Sequence, residues 1–349
     1  MTEPELNPRN AAVLDAIVER YILTGEPVGS TTIAKLLDEP ISPATVRNVM
    51  AELERLGYLG QPHTSAGRMP TRRGYRRYVA ALPVRGKFPA LDSARLRRRL
   101  ESEPIEMDEL LRRTCHVLAD LSELVAVVSA PPLADTAFQH VDFVALGGNR
   151  VLAIIVSRAG QVKNRTVALT EPTSQEQLDH AAAYLVRRFA GRSLREVAAR
   201  IHELRAGAGE RLEYFERQAI DLGASSLTAD LDEQDVLIEG SASLLAQPDI
   251  ETIGDLRMVF EVIEERRLLA PALRVQEQSC EGPRVVIGCQ PLPVGLEHCA
   301  LVSATYGGGD APFGTVAVLG PTRLQYARTI ALVDAIASAT TAALARLTI

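Results

Sequence analysis

Two helix starts and two helix stops govern what the first sixty residues can become. Asn7-Pro8 and Ser42-Pro43 each put a capping side chain directly before a proline. A helix N-terminus favours that order, because the cap oxygen accepts an orphan N–H and proline has none to leave unpaired. Gly25 and Gly57 stand where helices of this length stop. After the first start, Val13, Leu14, Ile17, Val18, Tyr21 and Ile22 recur at helical spacing. A second, short helix is predicted from Ser30, carrying Ile33, Ala34, Leu36 and Leu37 and ending near Asp38 and Glu39. The third, capped by Ser42, turns Val46, Val49, Met50, Leu53 and Leu56 inward. Its exposed first two turns carry Thr45, Arg47, Asn48 and Glu52. A short helix, a tight turn and a helix with a polar N-terminal face form a helix-turn-helix pattern. Arg and Asn suit that face because each can pair two hydrogen bonds with a purine edge. The same pattern also fits a three-helix packing unit that meets no DNA.

The residues that follow favour the first alternative. Tyr58 and Leu59 open a short strand, Ser65 to Gly67 make a turn, and a helix-turn-helix followed by a hairpin is a winged helix. The wing would carry His63 and Arg68. In the next helix Tyr75, Tyr78, Val79 and Leu82 face inward and Arg72, Arg73, Arg76 and Arg77 largely outward. Charge concentrates in this stretch. Residues 61–100 hold 11 basic side chains against 1 acidic, within a chain whose net charge is -6. A charge run is often only a solvated face; behind a helix-turn-helix it marks where a polyanion would be met.

Three segments carry a specific resemblance: EPVGSTTIA (26–34), SPATVRNVMAELERLGYL (42–59) and QPHTSAGRMPTRRGYRRYV (61–79). The stretch from Leu6 to Val79 resembles the DNA-binding module of HrcA, the bacterial heat-shock repressor family. Looser likeness continues through VLIEGSASLLAQP (236–248), VVIG (285–288) and GTVAVLGPTRLQYAR (314–328). Arg72-Arg73 departs from the acidic or neutral residue and Lys that the family often shows there. The resemblance implies a repressor of class I heat-shock (chaperone) operons that binds an inverted repeat of double-stranded DNA as a homodimer. It also implies dependence on the GroEL chaperonin and a GAF-like domain interrupted by a dimerisation insert.

Along the rest of the chain, residues 81–100 read as a linker entering a basic helix, followed by a helix from Met107 to about Leu124. Residues 140–169 read as three strands separated by Gly-Gly-Asn and Ala-Gly-Gln turns, with helices over 174–190 and 193–205. A helix after the small-residue break at 206–209, a short strand near Val236 and a helix from Leu256 to Leu269 follow. Strands resume after Pro271, and a final helix starts near Arg323. The expected fold is multidomain α+β. It divides into a winged helix (1–82), a basic linker (83–104), and a GAF-like domain in two parts (105–205 and 275–349). The mostly helical insert (206–274) is expected to carry the dimer contact through Leu212, Phe215, Ala219 and Leu222 on one helix and Phe260 and Ile263 on another.

No catalytic, metal or cofactor chemistry is expected. YGGGDAPFG lacks the Gly-Lys-Ser/Thr of a phosphate loop. His298-Cys299 has no second ligand at metal spacing, and the other histidines form no catalytic constellation. The cluster Asp230, Asp232, Glu233 and Asp235 lacks the glycine and terminal glutamate of a calcium loop. Cys115, Cys280, Cys289 and Cys299 form no Cys-x-x-Cys pair, the chain has no run of eighteen apolar residues, and MTEPELNPRN lacks signal-peptide character. A cytoplasmic location without a membrane partner is the expectation. An alternative role is a winged-helix regulator whose GAF-like domain senses a metabolite.

Overall fold

The structure, a computed structural model, describes residues 6–37, 39–62, 67–82, 90–100, 106–158, 160–207, 214–227, 235–246, 253–279, 282–289, 291–307 and 313–347. The chain begins with α1 (Pro8–Thr24), α2 (Ser30–Leu36), α3 (Pro43–Arg55), β1 (Leu59–Gly60), β2 (Met69–Pro70) and α4 (Arg72–Ala81). Then come α5 (Ala90–Leu100), α6 (Met107–Ser122), β3 (Val125–Ser129), β4 (Phe138–Gly147), β5 (Arg150–Ser157) and β6 (Val162–Ala168). The middle of the chain holds α7 (Gln175–Phe189), α8 (Leu194–Gly207), α9 (Tyr214–Leu227), β7 (Val236–Glu239), α10 (Ile253–Glu264) and α11 (Ala270–Ser279). It ends with β8 (Arg284–Ile287), β9 (Cys299–Tyr306), β10 (Gly314–Pro321) and α12 (Tyr326–Leu347).

Two compact units result. The first comprises residues 1–100, 114–128 and 237–341; the second comprises 101–113, 129–236 and 342–349. In the first, the N-terminal helices close a small core of Val13, Leu14, Ile17, Val18, Ile33, Val46, Val49, Met50 and Leu53. The two-stranded pairing of β1 with β2 follows α3. This is the winged helix that the caps predicted: Asn7 and Ser42 accept backbone N–H groups from Asn10 and Thr45, and Gly25 adopts φ 69° at the end of α1. The same unit contains a five-stranded sheet of order β7-β3-β10-β9-β8. Strands β9 and β10 are buried along almost their whole length, so their sequences read as continuous apolar runs rather than alternating ones. Helix α12 is long and apolar enough to cross a bilayer by length and composition, but most of that stretch is buried inside the protein.

The second unit is a three-stranded antiparallel sheet, β4-β5-β6, with helices on one face. Phe138, Val141, Phe143, Val151, Ala153 and Ile155 point into a core shared with Leu178, Leu185, Phe189 and Ile201. Helix α9 packs on α7 and α8 in that same core.

This pairing redraws the expected boundaries. The α+β architecture and its interruption stand, but the strands over 138–168 join one another rather than the larger sheet. The separately packed segment thus starts near residue 129 and ends near 236, in place of 206–274. Strand β7, expected inside the insert, is the edge strand of the five-stranded sheet. Alternation identifies a strand and its buried face, but not whether a local hairpin also joins a larger sheet, because the strands of that sheet are remote in sequence. The helix expected over 256–269 also differs. Helix α10 ends at Glu264, and Pro271 lies in the first turn of a new helix, α11, where proline is tolerated.

Candidate nucleic-acid interface

The candidate recognition helix is α3, and both of its ends are fixed by local sequence. At the start, Ser42 Oγ accepts the Thr45 N–H at 3.1 Å and lies 2.9 Å from Thr45 Oγ1. Thr45 is therefore part of the cap and only half-exposed. At the end, Gly57 takes φ 79°, its N–H donates to the Glu54 carbonyl, and the Tyr58 N–H donates to the Leu53 carbonyl. That double bond over a left-handed glycine satisfies carbonyls a helix end leaves open. Arg47 and Asn48 project from the first turns, exposed and with no hydrogen bond to the described residues. Glu52, on the same helix, accepts from Asn10 Nδ2 at 3.0 Å and ties α3 to α1.

The wing is mounted on this helix by contacts that the sequence did not display. Backbone bonds between Val28 and Arg68, at 2.8 and 2.9 Å, add a bridge beside β2. A Cβ at Gly67 would stand 2.5 Å from the Val28 carbonyl oxygen, and one at Gly74 would run into the Tyr58 carbonyl. Those two glycines of the motif are therefore close-approach positions. Thr71 bridges the pieces: its Oγ1 accepts the Gly74 N–H at 3.2 Å and donates to the Gly57 carbonyl at 2.6 Å.

The arginines expected to meet DNA separate into distinct environments. Arg68 donates from Nε and Nη2 to Glu54 Oε2 at 3.0 and 2.9 Å, and its side chain is only 21% exposed. Arg73 donates to the Leu56 carbonyl at 2.7 Å, with its guanidinium 4.6 Å from the centre of the Tyr58 ring. Both lock the wing and α4 to the end of α3. Arg72 and Arg76 are exposed but donate to the carbonyls of Gly288 and Ile287. Half-buried Arg77 faces Asp15, whose carboxyl is pushed above its usual range by burial, an effect that Arg77 partly offsets. Tyr78 is pushed up to about 12 by burial, with the charge of Glu19 adding to it. His63 lies outside the described residues. Glu54 and Thr71 were missed from sequence because nothing in a pair fourteen residues apart signals contact.

Two of the side chains expected at a dimer contact are placed differently from expectation. Ala219 and Leu222 are buried in the second unit's own core, so they are already used within one chain. Ile263 is buried and Phe260 half-buried, Leu212 lies outside the described residues, and so does the side chain of Phe215. Among the described residues, exposed apolar side chains stand together on the outer face of the three-stranded sheet. Val144, Leu152 and Thr166 form one cross-strand row, Asp142, Ile154 and Asn164 the next, and His140, Val156 and Val162 a third. Val144 and Val162 are 42% and 52% exposed, and Leu146 on β4 is 45% exposed. Among the described residues no group of His, Cys, Asp and Glu could hold a metal ion.

Comparison with known proteins agrees with a winged helix in the first part of the chain. Residues 5–81 match the family described as winged helix-turn-helix transcription repressor, HrcA DNA-binding, and residues 108–330 match HrcA protein C terminal domain. The heat-inducible transcription repressor HrcA of Geobacter sulfurreducens is 36% identical over 331 residues, covering 95% of this chain and 96% of that one. Its counterpart from Xanthomonas euvesicatoria pv. vesicatoria is 37% identical over 344 residues, covering 98% and 97%. A crystal structure of a hypothetical protein is similar with a TM-score of 0.58 at 26% identity, covering 98% of both chains.

Proposed function

Because the chain belongs to the HrcA family of heat-inducible transcription repressors, a family of DNA-binding regulators and not of enzymes, we propose that it represses chaperone operons in the cytoplasm by binding an inverted-repeat operator as a homodimer. The observation that carries this reading is the state of Arg47 and Asn48. Both are exposed and make no hydrogen bond to the described residues, on a helix whose two ends are capped and whose wing is fixed to it. Planar groups in that position can pair with purine edges without first breaking hydrogen bonds to the described residues. The test is a gel shift of the purified protein on promoter DNA of chaperone operons and on random DNA. Equal affinity for the two would reject specific repression.

Two-fold operators need two recognition helices, and the outer face of the β4-β5-β6 sheet supplies a self-complementary surface for pairing. On that face Val144, Leu146, Leu152, Ile154, Val156 and Val162 stand among His140, Asp142, Asn164 and Thr166, and its apolar part is buried by meeting its own copy about a two-fold axis. Ile154→Asp should give a monomer by light scattering and weaken operator binding, while an unchanged dimer mass would reject this contact. Dependence on GroEL has one physical support: 20 prolines slow the search for the folded state, since prolyl isomerisation takes tens of seconds. Active repressor would then track free chaperonin. Equal operator occupancy after matched refolding with and without GroEL would remove that element alone.

A further inference from the structure

The winged helix is held against the five-stranded sheet through arginines that its charge also offers to DNA. Arg72 Nη1 donates to the Gly288 carbonyl at 3.2 Å, and Arg76 Nη2 donates to the Ile287 carbonyl at 3.0 Å. The two guanidinium groups, one helical turn apart on α4, thus take successive carbonyls at the end of β8. Gly288 permits the approach, since a Cβ there would strike the Glu297 carbonyl and lie 3.0 Å from Arg72 Cδ. Between the two arginines, buried Tyr75 meets buried Tyr326 with ring centroids 6.1 Å apart. A second clasp engages α1. Arg323, between β10 and α12, donates to the Ile22 carbonyl at 3.3 Å, in the last turn of the helix. A cation is favoured there by the open carbonyls and the helix dipole. Gly25 keeps the space free, because a Cβ would stand 3.0 Å from Arg323 Nη1.

We propose that this docking is an autoinhibitory contact: Arg72 and Arg76 hold either the β8 carbonyls or DNA phosphates, so the docked and DNA-bound states exclude each other. The proposal rests on the DNA-binding reading above. A charged phosphate is a stronger acceptor than a neutral carbonyl, so DNA can draw the arginines away, but apparent affinity falls by the fraction of molecules that are docked. Weakening the clasp at Arg323, which is not among the residues assigned to DNA, must therefore tighten DNA binding.

The experiment uses full-length protein, with anisotropy titrations on a chaperone-promoter duplex and a random duplex at several salt concentrations. Arg323→Ala should bind both duplexes up to about fivefold more tightly, the equivalent of one net hydrogen bond, with an unchanged salt slope. Arg72→Ala and Arg76→Ala should each reduce the log–log salt slope by about one per half-site. If Arg323→Ala binds no more tightly, docking does not compete with DNA. If the slopes of Arg72→Ala and Arg76→Ala do not change, the two arginines serve docking alone, and the exclusion fails. Hydrogen exchange of the unaltered protein provides a measurement independent of variant folding. Saturating DNA should speed exchange around residues 284–288 and 323–325, and unchanged protection there overturns the proposal. Binding to neither duplex by any form would instead overturn the DNA-binding reading itself.

Discussion

Helix α3 and helix α4 carry the same kinds of side chain and use them in opposite ways. On α3 two polar groups at the first turns are spare: Arg47 and Asn48 reach solvent with no hydrogen bond to the described residues. On α4 the denser charge is largely engaged. Arg73 caps the end of α3, Arg72 and Arg76 hold carbonyls of β8, and Arg77 faces Asp15. Charge density and availability are therefore different properties. A guanidinium presents five donors on a long stem, and a nearby carbonyl can claim them as readily as a phosphate can. On the proposed reading, the helix with fewer cations is the one that meets base edges.

The largest expected effect tests whether α4 is a mount rather than a contact surface. Gly74→Val places a branched side chain against the Tyr58 carbonyl, and should cost the winged helix about 3 kcal/mol in denaturant unfolding. A change well under that would mean α4 adjusts easily. Next comes Asn48→Ala, which should weaken specific binding by about 1–3 kcal/mol and leave random DNA and the salt slope alone. Equal losses on both DNAs would place Asn48 with the phosphate contacts. Arg73→Ala should lower stability by about 1–2 kcal/mol through the lost carbonyl bond and ring contact, with the salt slope unchanged. A slope reduced by about one would break the comparison, because Arg73 would then be a phosphate ligand.

Arg68→Ala should cost no more than about 1 kcal/mol, since its ion pair with Glu54 is only partly shielded. A double-mutant cycle with Glu54→Ala should return that coupling, and additive losses would show that Arg68 acts elsewhere. The smallest effect concerns Asp15, whose Oδ1 is buried without a hydrogen-bond partner among the described residues. Burial raises its folded-state pKa above the unfolded value, so the folded protein binds the proton more tightly and the ionised form costs stability. Asp15→Asn should raise the melting temperature at pH 7. The gain should fade as pH falls through the raised value and be gone below about pH 4. A gain that persists in acid would have another cause.

Local signals carried far in the winged helix. Asn7, Ser42, Gly25 and Gly57 marked helix ends that the structure places within a residue, and the apolar stripe of α1 is the buried one. The strands over 140–169 and their glycine turns were equally legible, since Gly147, Gly148 and Gly160 take positive φ at the hairpins. The candidate site was legible in part: Arg47 and Asn48 stand exposed as expected, whereas Arg68 and Arg73 are tied to the end of α3.

By itself, then, the sequence determined what nearest neighbours control: caps, stops, buried stripes, hairpin turns and the position of the basic band. Tertiary structure alone decided that β7 joins β3, that Ala219 and Leu222 belong to an internal core, and that Arg72 and Arg76 meet β8. The physical reason is range. Caps and turns are satisfied within about four residues, so their chemistry is written beside them. Sheet partners and arginine acceptors lie up to 301 residues away, and no side chain records which distant carbonyl the fold will bring to it.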